Sequence, residues 1–244
     1  MLAALKVGPS TTELRELDLP VVPDDAALMK VEVAGVCGTD VSQYRLAAHF
    51  GTALLILGYT LWLLFGLGAE AREDHHGALL RAPIWVAGSI LGLIFLQLLA
   101  GALVAGLEAG FGFNTWPLIN GAFIPNGLGE ASPWYLNPFE NPLTVQFDHR
   151  MLGYVVVLAT IAQAAWLALR RRDPELITGS FTVMCFALLQ AALGVWTLLL
   201  RVPTPLGLAH QAGAIVLFAG TLSHFWLTLG RTAVTKNAQA VASA

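Results

Sequence analysis

The chain has 244 residues, of which 56% are hydrophobic and 12% are charged, and its net charge is −3. This charged share is about half of what a soluble globular domain carries, so the chain lacks the polar residues needed to cover a water-facing surface. The composition therefore excludes an ordinary soluble domain, and the negative charge gives no reason to expect a nucleic-acid partner.

Residues 1–44 differ in character from the rest of the chain. Charges spread over residues 13–25 leave no apolar core of a signal peptide. The pattern of apolar residues predicts a strand in part of 12–19 and another over 28–33. We expect this segment to be no independent fold, and we interpret it as a fused or misassigned N-terminus.

Two strings in this segment, LRELDLP and LMKVEVAGVCGTD, are similar to the start of medium-chain zinc alcohol dehydrogenases. The resemblance implies that Cys37 is a zinc ligand. Zinc requires about four ligands, however, and no G-x-G-x-x-G nucleotide motif follows in the sequence. We therefore expect no zinc at Cys37 and treat residues 1–44 as a dehydrogenase-like fragment.

After residue 45 the chain contains five stretches without a charge, each close to the roughly 20 apolar residues that cross a bilayer as a helix. Backbone polar groups in lipid must be paired within the segment, so these stretches must be helical. The sequence predicts an all-α polytopic membrane bundle of five transmembrane helices in a domain over 45–231, followed by a disordered tail at 232–244. The stretches are 46–69, 82–107, 151–169, 176–200 and 202–230.

Successive predicted loops alternate between rich and poor in lysine and arginine. The 70–81 and 170–175 loops and the tail after 230 are basic, whereas 108–148 contains neither residue type. Because basic loops remain on the inner side, the C-terminus is predicted on the cytoplasmic or matrix side. The membrane would be a bacterial plasma membrane or a mitochondrial inner membrane.

Three histidines lie near the start of a predicted span at the same edge of the bundle: His49, His149 and His210. Ionisable groups inside a membrane are costly and usually functional. Two imidazoles from facing helices can bind a haem iron from both sides, which makes His149 and His210 candidate metal ligands. The alternative is that both rings are hydrogen-bonded to backbone carbonyls in a packed core.

Polar residues near these histidines extend the candidate site. Arg150 is a candidate partner for haem propionates, and the alternative is a guanidinium that reaches the membrane interface. Gln211, beside His210, is a candidate haem-pocket residue. Gln190 is an intramembrane polar group that we expect to be hydrogen-bonded inside the bundle.

From about Val41 to Leu229 the chain resembles haem A synthase. The resemblance implies eight helices in two similar halves, of which this chain corresponds to the complete second half and one helix of the first. It implies that His149 and His210 bind a cofactor haem b, and that His49 belongs to the site for substrate haem O. The matching strings are VSQYRLAAHFGTALLI, AGLEAGFGFNTWPLINGAFIP, VQFDHRMLGYVV, LLQAALGVWTLLLRVP and LAHQAGAIVLF.

The activity implied by this resemblance is the oxygen-dependent oxidation of a haem O methyl group to a formyl group, in cytochrome oxidase assembly. The Glu-x-x-His-Arg type motif of the first half has no counterpart in residues 1–44, so we expect this chain alone to be inactive. The alternatives are a non-catalytic b-type haem electron carrier and a zinc alcohol dehydrogenase fragment. The implied or permitted partners are haem, the lipid bilayer, a haem O synthase, an electron donor and a second copy of the chain.

Overall fold

A computed structural model describes residues 2–8, 11–16, 42–69, 84–170 and 173–242. The chain divides into two compact units, Met1–Ser42 and Gln43–Ala244. Cys37 and the strand expected over 28–33 lie outside the described residues.

The first unit contains an antiparallel hairpin of β1 (Leu2–Gly8) and β2 (Thr11–Glu16). The register pairs Leu2 with Glu16 and Gly8 with Thr11. Strand β2 covers part of the strand expected at 12–19. Strand β1 was not expected, because its Leu-Ala-Ala-Leu start is composed of strong helix formers.

The described part of the second unit is helical and contains five long helices. Five segments are long and apolar enough to cross a membrane, namely Gln43–Leu67, Ile84–Gly106, Pro142–Leu169, Pro174–Leu199 and Thr204–Leu229. This confirms the predicted all-α polytopic bundle. In chain order the helices are α1 (Gln43–Ala69), α2 (Ile84–Gly106), the short α3 (Ala109–Gly112) and α4 (Asn137–Glu140), α5 (Pro142–Leu169), α6 (Pro174–Leu199) and α7 (Thr204–Ala242).

Helix α5 begins well before position 151, where the uncharged stretch starts. The Asn141 side chain caps it by accepting hydrogen bonds from the backbone N–H groups of Leu143 and Thr144, with Pro142 at the first helical position. Charges at 148 and 150 interrupt the apolar pattern without interrupting the helix. His149 therefore lies in the second turn of α5 rather than at its start.

Helix α7 continues to Ala242 and so includes most of the tail for which the sequence predicted no regular structure. The residues after 230 are rich in alanine, the strongest helix former. Propensity and continuity with the preceding membrane helix both favour this extension.

Four helices form a closed ring in the order α2, α5, α6, α7, each packing against two neighbours. Helices α5 and α7 therefore lie diagonally across the ring. Helix α1 packs outside it, against α2 and α7. The core between the helices is apolar and includes Leu54, Ile90, Ile94, Leu98, Val156, Val183, Ala187, Leu217 and Phe218.

Candidate functional site

One end of the ring brings together the first turns of α5 and α7 and the last turns of α2 and α6. We call it the paired-histidine end, defined by residues 97–106, 142–153, 190–199 and 204–213. His149 lies seven residues after the start of α5, and His210 lies six residues after the start of α7. Both side chains are half-buried.

His149 is held by two residues of α2. The Gln97 amide nitrogen lies 3.2 Å from His149 Nδ1 and donates a 3.0 Å hydrogen bond to the His149 backbone carbonyl. One turn further along α2, a Cβ at Gly101 would lie 3.2 Å from His149 Cε1. Glycine at this position therefore gives the ring its space.

His210 is held in the same way by α6. The Gln190 amide nitrogen lies 3.0 Å from His210 Nδ1 and also donates to the His210 backbone carbonyl. A Cβ at Gly194 would lie 2.7 Å from His210 Cε1, closer than packed carbon atoms approach. The expectation that Gln190 is hydrogen-bonded inside the bundle is confirmed.

Arg150 connects α5 to the loop that follows α2. Its Nη1 and Nη2 atoms donate hydrogen bonds of 2.8 and 2.7 Å to the carbonyls of Thr115 and Phe113. The side chain is 8% exposed, and its Nε has no partner in the part of the chain that the structure describes. No carboxylate pairs with it among the residues that the structure describes. The guanidinium thus holds the loop and keeps an uncompensated positive charge at the paired-histidine end.

Unpartnered polar atoms concentrate at this end. Buried polar atoms are almost always hydrogen-bonded, so each exception calls for an explanation. Within the described ranges, three of the five such side-chain atoms are Gln97 Oε1, Gln146 Oε1 and Arg150 Nε. The other two are both ring nitrogens of His224, further along α7.

His49 lies on α1, which packs outside the ring of four helices. It is six residues into α1 and exposed, as is Arg45 one turn before it. Helix α1 lies outside the ring, so the structure does not bring His49 into the paired-histidine end. Gln211 is also exposed, and the amide that reaches the His210 ring belongs to Gln190.

Gln97 is the contact that the sequence analysis missed. It is a lone amide in an otherwise apolar helix, with a glycine four residues later. The same Gln-x-x-x-Gly spacing recurs at Gln190 and Gly194. This repeated spacing is the sequence signal that would have identified Gln97.

Comparison with known proteins gives one family. A family model described as "Cytochrome oxidase assembly protein" (COX15-CtaA) matches residues 27–222. The match begins inside the 1–44 segment and therefore includes part of the dehydrogenase-like strings.

Several curated relatives are named heme A synthase. That of Parvibaculum lavamentivorans is 47% identical over 188 residues, covering 76% of this chain and 52% of the relative. That of Chelativorans sp. is 42% identical over 193 residues, covering 78% of this chain and 52% of the relative. That of Rhizobium leguminosarum is 43% identical over 189 residues, covering 77% of this chain and 50% of the relative. The chain spans about half of the length of these relatives.

Proposed function

The chain belongs to the cytochrome oxidase assembly protein family, and on that premise we propose that it takes part in forming haem A in the membrane. In this proposal His149 and His210 bind the iron of a haem b cofactor, and His49 belongs to a site for substrate haem O. The observation that carries the proposal is the pair of half-buried imidazoles on diagonally opposite helices, each held by a glutamine and a glycine.

The chemistry of the paired-histidine end fits a haem. Two neutral imidazoles are the axial ligands of many b-type haems, and a four-helix ring presents them from opposite sides. The Arg150 guanidinium supplies positive charge without a carboxylate partner within the described part of the chain, and its free Nε is a donor suited to a propionate. The orphaned polar atoms at this end also support a ligand there.

A haem held there would supply electron transfer. His149 and His210 would hold it between α5 and α7, while Arg150 holds the adjoining loop in place. The surrounding apolar helices exclude water, which helps to set the redox potential.

Substrate haem O would bind elsewhere, at His49 on the exposed face of α1. Arg45 lies one turn before it on the same face, where a guanidinium can pair with a propionate. The basic residues that follow α5 and those at the end of α7 support a C-terminus on the cytoplasmic or matrix side. A haem O synthase, which would supply the substrate, and an electron donor are the candidate partners.

The first experiment purifies the chain with bound haem and records its spectrum. We expect a low-spin bis-histidine haem b, lost in both His149→Ala and His210→Ala. His49→Ala is the matched control and retains the spectrum, because this residue lies outside the ring. Unchanged haem content in both variants of the pair would contradict the assignment.

A second candidate function is a b-type haem electron carrier. It is favoured by the exposed position of His49 on α1, the helix that packs outside the ring. Addition of haem O distinguishes the two functions: the synthase proposal requires a second bound haem that His49→Ala removes, whereas a carrier binds only one. In a host that supplies haem O but has no synthase, we expect no haem A from this chain alone, and haem A formed there would contradict that expectation.

A further inference from the structure

Two helix pairs of the ring carry the same arrangement of residues. In α2 and in α6, a glutamine lies nine residues before the last helical residue and a glycine follows four residues later. The next long helix, α5 or α7, then carries its histidine six or seven residues after its start. The pair α2–α5 and the pair α6–α7 therefore repeat one structural unit at the paired-histidine end.

The glutamines also have glycine beside them on the histidine helix. A Cβ at Gly153 of α5 would lie 3.3 Å from the Gln97 amide nitrogen. A Cβ at Gly213 of α7 would collide with Gln190 Oε1. Each amide thus occupies a space that alanine would fill, within one turn of the histidine it contacts. Four glycines at matching places make room for two rings and two amides.

The position of each amide determines which proton the imidazole can carry. A neutral imidazole that binds iron through Nε2 has its proton on Nδ1, which must then donate a hydrogen bond. In the structure the Gln190 amide nitrogen lies 3.0 Å from His210 Nδ1, and the Gln97 amide nitrogen lies 3.2 Å from His149 Nδ1 and 3.4 Å from His149 Nε2. Gln97 Oε1 is buried and has no partner among the described residues. A rotation that keeps the amide N–H on the histidine carbonyl and brings Oε1 to Nδ1 satisfies all three groups.

We propose that Gln97 and Gln190 are positioning residues that hold His149 and His210 for iron binding through Nε2. Each amide donates to the backbone carbonyl of its histidine and accepts the Nδ1 proton, which fixes both the tautomer and the ring plane. The inference rests on the proposed function, because it concerns the same haem ligands. Neither glutamine touches the iron in this arrangement.

The test compares haem affinity and midpoint potential of the purified, haem-loaded chain with those of Gln97→Leu and Gln190→Leu. Loss of a partner of this kind typically weakens metal binding by about 10–100-fold. The midpoint potential is expected to rise, because an imidazole without an acceptor at Nδ1 donates less electron density to ferric iron. The low-spin electron paramagnetic resonance signal is expected to shift, because the ring plane is no longer fixed.

Two further variants distinguish a role of Gln97 in positioning the histidine from a role only in the stability of the fold. Gln97→Glu keeps an oxygen acceptor, so its midpoint potential is expected at or below the wild-type value, even if Gln97→Leu folds poorly. Gln163→Leu replaces another buried glutamine, far along α5, and is expected to match wild type.

Wild-type affinity, potential and resonance signal in both leucine variants would overturn the inference, as would a raised potential in Gln97→Glu. The bis-histidine spectrum would in either case leave the proposed function standing. A wild-type chain that takes up no haem would instead contradict the proposed function itself.

Discussion

A histidine at the paired-histidine end has different neighbours from a histidine at the opposite end of the same bundle. His210 and His224 both lie on α7, fourteen residues apart and therefore on nearly the same face. Each ring packs against a glycine of α6, Gly194 or Gly179, where a Cβ would lie 2.7 Å from a ring atom. Of the two, only His210 contacts an amide, whereas His224 is 2% exposed and both of its ring nitrogens lack a partner within the described ranges.

This comparison distinguishes two features: the space that a glycine leaves for an imidazole and the hydrogen-bonding partner that a glutamine provides. At either end of the bundle, a glycine in a neighbouring helix leaves space for an imidazole. We call this space a glycine notch; it lies at Gly101 and Gly194 at the paired-histidine end and at Gly179 at the opposite end. The glutamine at the paired-histidine end adds a hydrogen-bonding partner, because an amide can donate through its NH₂ group and accept through its oxygen, and its nitrogen lies nearest to Nδ1 of each histidine. The two histidines that we propose as iron ligands each have a glycine notch and a glutamine, whereas His224 has a notch alone among the described residues.

The largest effect is expected from filling the notches at the paired-histidine end. Gly194→Ala places a Cβ 2.7 Å from the His210 ring, compared with 3.2 Å between Gly101→Ala and the His149 ring. Haem affinity in a titration should fall by up to about 100-fold in Gly194→Ala, because the ligand ring must move, and by less in Gly101→Ala.

Gly92→Ala is the matched control, because no atom lies within 4 Å of a Cβ at this position of α2. It should leave haem affinity unchanged and stabilise the helix by about 0.5–1 kcal/mol. Equal haem affinities in Gly194→Ala and Gly92→Ala would remove the distinction drawn from the notches.

A smaller effect is expected from Arg150→Gln. The change removes the hydrogen bonds to the carbonyls of Phe113 and Thr115, and thermal unfolding in detergent should show a loss of about 1–2 kcal/mol. Hydrogen exchange at residues 113–115 should increase. Arg45→Gln, on the exposed face of α1, should change neither measurement. If the two variants behave alike, Arg150 does not hold the loop.

The five membrane spans could be predicted because the length of an uncharged stretch can be read from each segment by itself. The start of α5 could not, since the charges at 148 and 150 interrupt the hydropathy signal, while the cap at Asn141 that begins the helix is a local hydrogen bond. The boundaries inferred from charge were therefore those of the apolar stretch and not those of the helix.

The sequence identified the two histidines that we propose as iron ligands, but it did not identify the residues that contact them. His149 and His210 were found by residue type and depth. Gln211 was proposed for its position beside His210 in sequence, but neighbouring residues of a helix point about 100° apart. The amides that reach the rings come from other helices, with Gln97 lying 52 positions before His149. Such contacts depend on which helices pack together, which one sequence does not specify.

The smallest effect, and one of opposite sign, is expected at the other end of the bundle. His224→Leu removes two buried ring nitrogens that have no partner in the described structure and adds apolar contact, so the free energy of unfolding should rise by about 1 kcal/mol. The haem spectrum should be unchanged, since His224 lies roughly 21 Å from His210 by helical rise. His210→Leu, the matched change one notch away, should abolish that spectrum. A loss of stability in His224→Leu would mean that its ring is held by a polar partner after all, and a notch without a glutamine would then no longer identify a histidine that only packs.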